Sequence, residues 1–391
     1  LRASWLKQQK HADFRLPSRG TELPDEAYIG VDELRRIWKN RRGSREKKHA
    51  LPFIAVSHTW RAKDQPDPSG ATARTLVAAL EARWGEFEQC GVTDLGIFID
   101  YCSLFQARGV RARVKARSLA LKYIYLWYAH RCTTVWCVTG VPPNAAVGAR
   151  GTLSYWQRGW PTFEYALASL VKVANSAAID WPQLVDLGLE EAEQTALRRP
   201  VPAEPLAFLL GHAHGDKKYS TDRDDRDAIV APMYREAIFE VFGGTRELCF
   251  DSCEWGAAEV AKLVLNLPLA NQLRRLALHK NPIGDEGMAT LSKALAAGCL
   301  PGLQQLNMWD CDIGDQGVSA FGDACMSCDE PPQGESATGN LSGERARRCF
   351  QLEWLNLGNN QISGKGVEPL AAALTSKPLA RLRVLGLEDN V

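Results

Sequence analysis

Two kinds of hydrophobic pattern divide the chain. Short apolar runs rich in β-branched and aromatic residues, "FIAVS" (53–57), "LGIFIDY" (95–101) and "TTVWCVTG" (133–140), alternate with stretches of helical spacing. Near-continuous apolar strands divided by helices predict an open parallel sheet covered on both sides, a three-layer α/β domain. In "ATARTLVAALEARWGEFEQ", Val77, Leu80, Trp84 and Phe87 share one helical face. "RARVKARSLALKYIYLWYA" predicts one further amphipathic helix that packs Val114, Leu121, Ile124 and Tyr128. A third helix is expected from Trp160 to about Ala174. Residues 180–244 are harder to read, polar and turn-rich until "AIVAPMYREAIFEVFGG", which closes the first domain as a helix.

From residue 245 onward the pattern repeats. "LRRLALHKNPIGDEGMATLSKAL" begins at 273, "LQQLNMWDCDIGDQGVSAF" at 303, "LEWLNLGNNQISGKGVEPLAAAL" at 352 and "LRVLGLEDN" at 382, with a fainter "TRELCFDSC" at 245. Each copy reads L-x-x-L-x-L-x-x-N/C, then a Gly-bearing turn, then helix-period residues. The leucines bury one side of a short strand. Asn281, Cys311, Asn360 and Asn390 turn the chain and bond exposed backbone groups, while Gly287, Gly317 and Gly366 let a helix start close to its neighbour. The starts are 28, 30, 49 and 30 residues apart. The long interval contains an insertion at about 327–349 whose composition is that of a disordered surface loop. In repeat length and turn sequence these units resemble the ribonuclease-inhibitor-like leucine-rich repeats. The resemblance implies an α/β solenoid with strands on a concave face. On that face the strand positions Arg275, Ala277, His279, Gln305, Asn307, Trp309, Trp354, Asn356, Gly358, Val384, Gly386 and Glu388 point away from the leucine core. Two tryptophans on a polar face suit a protein-binding hot spot, or they pack on neighbouring strands or under the insertion. A metal or acid–base role for His279 finds no partner in the pattern.

Composition changes this picture little. Hydrophobic and charged shares of 45% and 24% are those of a globular protein, and 391 residues allow two domains. The net charge of +1 gives no reason to expect a nucleic-acid or membrane partner, and no apolar run approaches membrane-spanning length. No secretory signal opens the chain, which begins at Leu1 and stops at Val391 inside a repeat, so a fragment is expected. Eleven cysteines lack a regular framework, and Cys102, Cys137 and Cys249 fall inside core elements, which predicts a reducing, cytoplasmic setting. No metal site is expected: Cys325 and Cys328 have ligand spacing without a second pair, and His212 and His214 sit in a Gly-flanked loop. The basic run at 35–49 reads as a solvated helix and linker, making residues 1–49 a helical lead-in to a domain at 50–244. "GxxxxGK[ST]" does not occur, so the nucleotide-binding ATPase module of many leucine-rich-repeat immune receptors is not among its parts.

Ligands of open parallel sheets sit beyond the carboxyl ends of the strands. Those ends deliver Ser57, His58, Thr59 and Trp60 from the first strand. The second delivers Asp100, Cys102 and Ser103 with Gln106 beyond, and the third leads into "RGWPTFE" with Trp160 and Glu164. Ser57, His58, Trp60, Asp100 and Glu164 are expected in one cleft. Ser57 and His58 are adjacent, so their side chains diverge and form no nucleophile–base pair. A thiol site of Cys102 with His58 competes with Cys102 as core. "AVSHTW", "IFIDYCSLFQ" and "YWQRGWPTFEYA" resemble, in order, the three signature blocks of the heterokaryon-incompatibility (HET) domain, itself similar to TIR domains. The likeness covers roughly residues 50–175. Departures are His58 for tyrosine, Cys102 one residue early, Pro161 after Trp160, and no short Gly-rich turn.

The resemblance implies that Glu164 is the glutamate with which NAD-cleaving TIR members work, holding ribose hydroxyls beside an oxocarbenium-like centre. Asp100 and His58 would support it. Ser57, Trp60, Cys102, Ser103 and Trp160 would line the ligand. The alternative is structural: Pro161 at the first helical position, Glu164 as a first-turn acid, Trp160 as a staple. The sequence thus predicts an intracellular recognition and signalling protein. Its repeats bind a protein partner, and its HET/TIR-like domain is an effector or self-associating module, with no cofactor required. An NAD-cleaving enzyme, NAD being its substrate, is the first alternative. A GTPase-regulating scaffold, by analogy with Ran GTPase activators, is the second.

Overall fold

The computed structural model describes residues 1–40, 50–62, 64–105, 110–140, 153–172, 179–188, 229–327, 351–375 and 379–391. Gln106, His212, His214, the insertion with Cys328 and Cys349, and most of the basic run lie outside the described residues. The described residues form two compact units, the first running to Ala237 and the second spanning Ile238–Val391.

In the first unit β1 (Phe53–His58), β2 (Gly96–Phe98), β3 (Thr134–Val138) and β4 (Leu184–Asp186) form a parallel sheet in the order β2-β1-β3-β4. Every neighbouring pair is parallel, so each connection must cross over, and helices supply the crossovers. Alternation along β1 and β3 assigns side chains to two faces. One face carries Ile54, Val56, Trp136 and Val138, which pack with Leu76, Val77, Leu80 and Phe87 of α3 (Ala71–Gln89). Leu1, Leu6 and Leu16 join this core, as does Ile37 of α2 (Val31–Asn40), whose Arg35, Arg36 and Lys39 stay in solvent. Arg2 ties the segment down through Glu33 at 2.6 Å and Asp94 at 3.0 Å. The opposite face carries Ala55, Ser57, Val135 and Cys137. It lies under α6 (Ile124–Ala129) and α7 (Gly159–Ala168), with Ala231–Ala237 packed beside both.

Several expected elements are redrawn. The second strand is three residues long and its end becomes a helical turn, α4 (Asp100–Ser103), because the Asp100 carboxylate accepts the Tyr101 amide at 2.6 Å. β4 went unread because "LVD" is too short to show a period. The single helix expected over 111–129 is two, α5 (Arg111–Lys122) and α6, broken at Tyr123. Six consecutive large side chains, Tyr123 to Tyr128, leave no polar face to keep in solvent, so the chain turns and buries Ile124, Tyr125 and Tyr128. Val114 and Leu121, expected in that core, are not buried, and no residue of α5 is. The third helix begins at Gly159 and ends at Ala168.

In the second unit β5 (Glu247–Cys249), β6 (Arg275–Ala277), β7 (Gln305–Asn307), β8 (Trp354–Asn356) and β9 (Val384–Gly386) form one parallel sheet in chain order. Its central leucines Leu248, Leu276, Leu306 and Leu355 are fully buried. A helix follows each of the first four strands. Beyond each strand a non-glycine residue turns left-handed, Ser252, Lys280, Asp310, Asn359 and Asp389, with φ of 51–58°, and Glu254 and Asp312 do so as well in the first and third of these turns. The faint copy at 245 therefore folds as a true unit.

Candidate functional site

The repeat turns hold themselves by exchanging bonds between neighbours. Asn281 Oδ1 accepts the amides of Cys253 and Trp255 in the preceding unit at 2.8 and 3.1 Å, and its Nδ2 donates to Phe250 O and Leu278 O. Asn360 does the same for Cys311 and Ile313, both at 3.0 Å. Contacts also run forward. Asp285 Oδ1 accepts the amides of Gly314 and Gly317 at 2.7 and 2.8 Å, and Asp315 accepts both the amide and hydroxyl of Ser363 at 2.7 Å. Those Ser363 hydrogen bonds hold the Asp315 carboxyl below its usual range. A Cβ at Gly317 would lie 2.6 Å from Asp285 Oδ1, so this glycine makes room for the neighbour's carboxylate.

Strand register sets the face turned away from the central leucines in rows. Glu247, Arg275, Gln305, Trp354 and Val384 form one; Cys249, Ala277, Asn307, Asn356 and Gly386 form the next. Beyond the strands stand Asp251, His279, Trp309, Gly358 and Glu388. Arg275 pairs with Glu247 at 3.3 Å, and His279 lies 3.9 Å from Asp251 and 3.3 Å from the Asn307 amide. Burial lowers the His279 pKa. Asp251, absent from the sequence reading, is therefore the neighbour that His279 lacked in the pattern. Trp309 and Trp354 are half-buried, with the Lys280 ammonium 5.4 Å from the Trp309 ring centroid. Glu388 lies across Gly358, where a Cβ would meet its carboxylate at 2.7 Å.

In the first unit the expected single cleft divides into two clusters. Ser57 and His58 point to opposite faces of β1. On one face Glu164 Oε2 lies 2.5 Å from Ser57 Oγ, which lies 2.6 Å from the Tyr155 hydroxyl. Tyr155 donates to Pro161 O at 3.0 Å. The Tyr128 hydroxyl lies against the same carboxyl and donates to Val56 O at 3.3 Å. All four side chains are buried. A carbonyl only accepts, so the Tyr155 hydrogen is used on Pro161. The Ser57 hydrogen then serves either Tyr155 or an ionised Glu164, and one contact lacks a hydrogen. A protonated Glu164 donating to Ser57 completes all three. Burial first, opposed by the Ser57 bond and reinforced by the Asp100 charge, raises the Glu164 pKa to about 8. Glu164 is thus not a first-turn acid in solvent. The helix starts at Gly159, one residue before the expected Trp160, Pro161 is its third residue, and Glu164 faces the sheet. Sequence pattern had not singled out Tyr155, which sits in an isolated 3₁₀ turn without a period to read.

The second cluster surrounds Asp100. His58 Nε2 is 3.4 Å from Oδ1, and Trp60 Nε1 donates to Oδ2 at 2.9 Å. The Trp60 ring meets Tyr101 edge-on at 5.5 Å. His58 is buried, and its Nδ1 has no hydrogen-bond partner among the described residues. Among the described residues no hydrogen bond joins this cluster to Glu164. Cys102 is core, its thiol pushed far up by burial. Ser103 accepts the Ile99 amide at 3.2 Å and closes its own turn. Trp160 is half-buried and packs edge-on with Phe163 at 5.8 Å. Arg61, also missed, donates to Gly140 O and Leu153 O at 2.8 and 2.9 Å, at either end of the connection towards α7.

The leucine-rich repeat family matches residues 271–292, 302–322 and 349–371. Human "NACHT, LRR and PYD domains-containing protein 2" is 33% identical over 143 residues, 36% of this chain and 11% of its own length. Human "NACHT, LRR and PYD domains-containing protein 13" is 26% identical over 196 residues, 41% of this chain and 18% of its own length. The chain thus matches less than a fifth of either relative. Among solved structures, the tropomodulin C-terminal domain of Caenorhabditis elegans aligns with 39% of this chain and 79% of that one, at 10% identity and a TM-score of 0.30. No helix among the described residues is long and apolar enough to cross a membrane. The second unit of the chain carries leucine-rich repeats.

Proposed function

We propose that the chain is an intracellular recognition and signalling protein. Its leucine-rich repeats, stacked as a solenoid, take a protein partner on the concave strand face, and the first unit is a HET/TIR-like effector or self-association module. The observation that carries this reading is the register-aligned strand face with Trp309 and Trp354 half-open on it. Large rigid aromatics beside fixed polar groups are what protein hot spots are made of. Photo-crosslinkers placed at Trp309 and Trp354 are expected to capture one protein species in cells, and crosslinkers on the exposed helix residue Lys293 none. Trp354→Ala is expected to weaken the captured partner about tenfold or more without lowering the melting temperature. Equal capture from strands and helices would overturn the reading.

A second reading makes the first unit an NAD-cleaving enzyme. It is favoured by the direct contact of Ser57 and Glu164, which come from the first and third HET-like blocks. Cleavage of the nicotinamide–ribose bond leaves an oxocarbenium-like sugar, which an ionised Glu164 would stabilise and water would capture. Glu164 is neutral below about 8, so turnover would require both ionisation and opening of the Ser57 contact. Purified protein is then expected to consume NAD faster as pH rises towards 8, and Glu164→Gln to abolish the reaction. A wild type that turns over no NAD, dispersed or clustered, excludes it.

A further inference from the structure

We propose that α5, with Tyr123 and Trp127 beside it, is a docking face for an acidic segment of a protein partner. The helix carries Arg111, Arg113, Lys115, Arg117 and Lys122 and no acid. Arg111 and Lys115, and Arg113 and Arg117, are like-charge neighbours one turn apart, an arrangement that destabilises a lone helix. None of the five cations forms an ion pair among the described residues. Arg113 and Lys122 rest instead on the rings of Phe105 and Tyr123, at 5.3 and 5.4 Å.

Apolar side chains stand open on the same helix and at its two ends. Val110, Val114, Leu119, Tyr123 and Trp127 are 64, 38, 61, 46 and 39% exposed. Among the described residues of the first unit they are five of the seven large hydrophobic residues left exposed. Trp127 is held rigid, stacked on Phe53 at 4.6 Å and Phe98 at 5.4 Å. A fixed tryptophan, a tyrosine and three arginines form the residue set that dominates protein–protein binding energy.

Charge chooses the occupant. Arginine forks match carboxylates two bonds at a time, so glutamates and aspartates relieve the repulsion within the helix. A second copy of the same face would add five more cations to it. A lipid surface needs the apolar residues on one side. Val114 and Leu119 instead point about 140° apart, with cations between them on both arcs.

The test uses the full chain and a fluorescent peptide in which glutamates alternate with leucine and phenylalanine. Binding is expected at about 50 mM salt and about tenfold weaker at about 200 mM. Arg113→Glu with Lys115→Glu should weaken it about tenfold or more. Each change turns a like-charge pair into an opposite-charge one, so the helix and the melting temperature are expected to hold. Trp127→Ala should weaken binding several-fold, and a glutamine version of the peptide should not bind. The proposal is overturned if the wild type ignores the peptide or the charge-reversed protein binds it equally. It is also overturned if anionic vesicles or duplex DNA bind more tightly than the peptide through the same cations. Self-association that the charge reversal abolishes would overturn it too.

Discussion

Glu164→Gln is expected to match the parent protein in stability near pH 4 and to exceed it by several kcal/mol above pH 8. Folding raises the Glu164 pKa from 4.5 to about 8, so within this window the folded state keeps a proton that the unfolded chain has released. Stability from this group is complete below the unfolded value, falls at about 1.4 kcal/mol per pH unit, and is gone once pH passes the folded value. Glutamine cannot ionise, and its amide can still donate to Ser57, so the slope should vanish with the contact kept. Urea midpoints at about pH 4, 6 and 8.5 would read it. Parallel profiles for parent and variant would show that Glu164 is ionised in the folded protein. The same variant serves the enzyme question, because lost NAD turnover in a protein of equal or greater stability is not a folding defect.

Asn360→Ala should destabilise the second unit by about 3 kcal/mol or more, with the four backbone groups of Cys311, Ile313, Met308 and Leu357 left in a dry turn. Cys311→Ala at the equivalent turn should cost clearly less. The thiol makes only long contacts there, 3.3 Å to Leu278 O and 3.5 Å to Trp309 O. Thermal melts of the two variants side by side decide the matter. A Cys311 variant as damaged as the Asn360 variant would mean that packing, rather than the amide's bonds, holds these turns.

The repeats were legible because their period is written in full. Leucines mark the buried rows, Asn or Cys marks the turn, and even the faint copy at 245 obeys the same left-handed corner. The α/β sheet was legible for β1 and β3, whose apolar runs are long, and not for β4, which has three residues. Residues 111–129 misled because apolar spacing shows which side of a helix is greasy, not whether anything covers it. For the site, the strand-end reading brought Ser57 and Glu164 to one place, and the two are in contact. It could not reveal that Tyr128 and Tyr155 close over them, since Tyr128 read as packing and Tyr155 stood in a turn with no period to read. Nor could it separate His58 from Ser57 by more than a side-chain flip, though that flip puts them in different clusters.

The stitching between repeats has a direction that matters at the ribosome. Asp285 and Asp315 are made before the turns they will hold, so each emerging repeat meets a finished acceptor waiting for its first amides. The asparagines act in reverse: Asn281 and Asn360 arrive late and lock a turn already laid down. Assembly can therefore advance one repeat at a time, each addition guided by the one before and securing it afterwards. The junction between the units starting at 273 and 303 is the exception, with Cys311 in the locking position. That seam lacks the asparagine's lock, and Asp285, holding the amides of Gly314 and Gly317, ties it from the other direction.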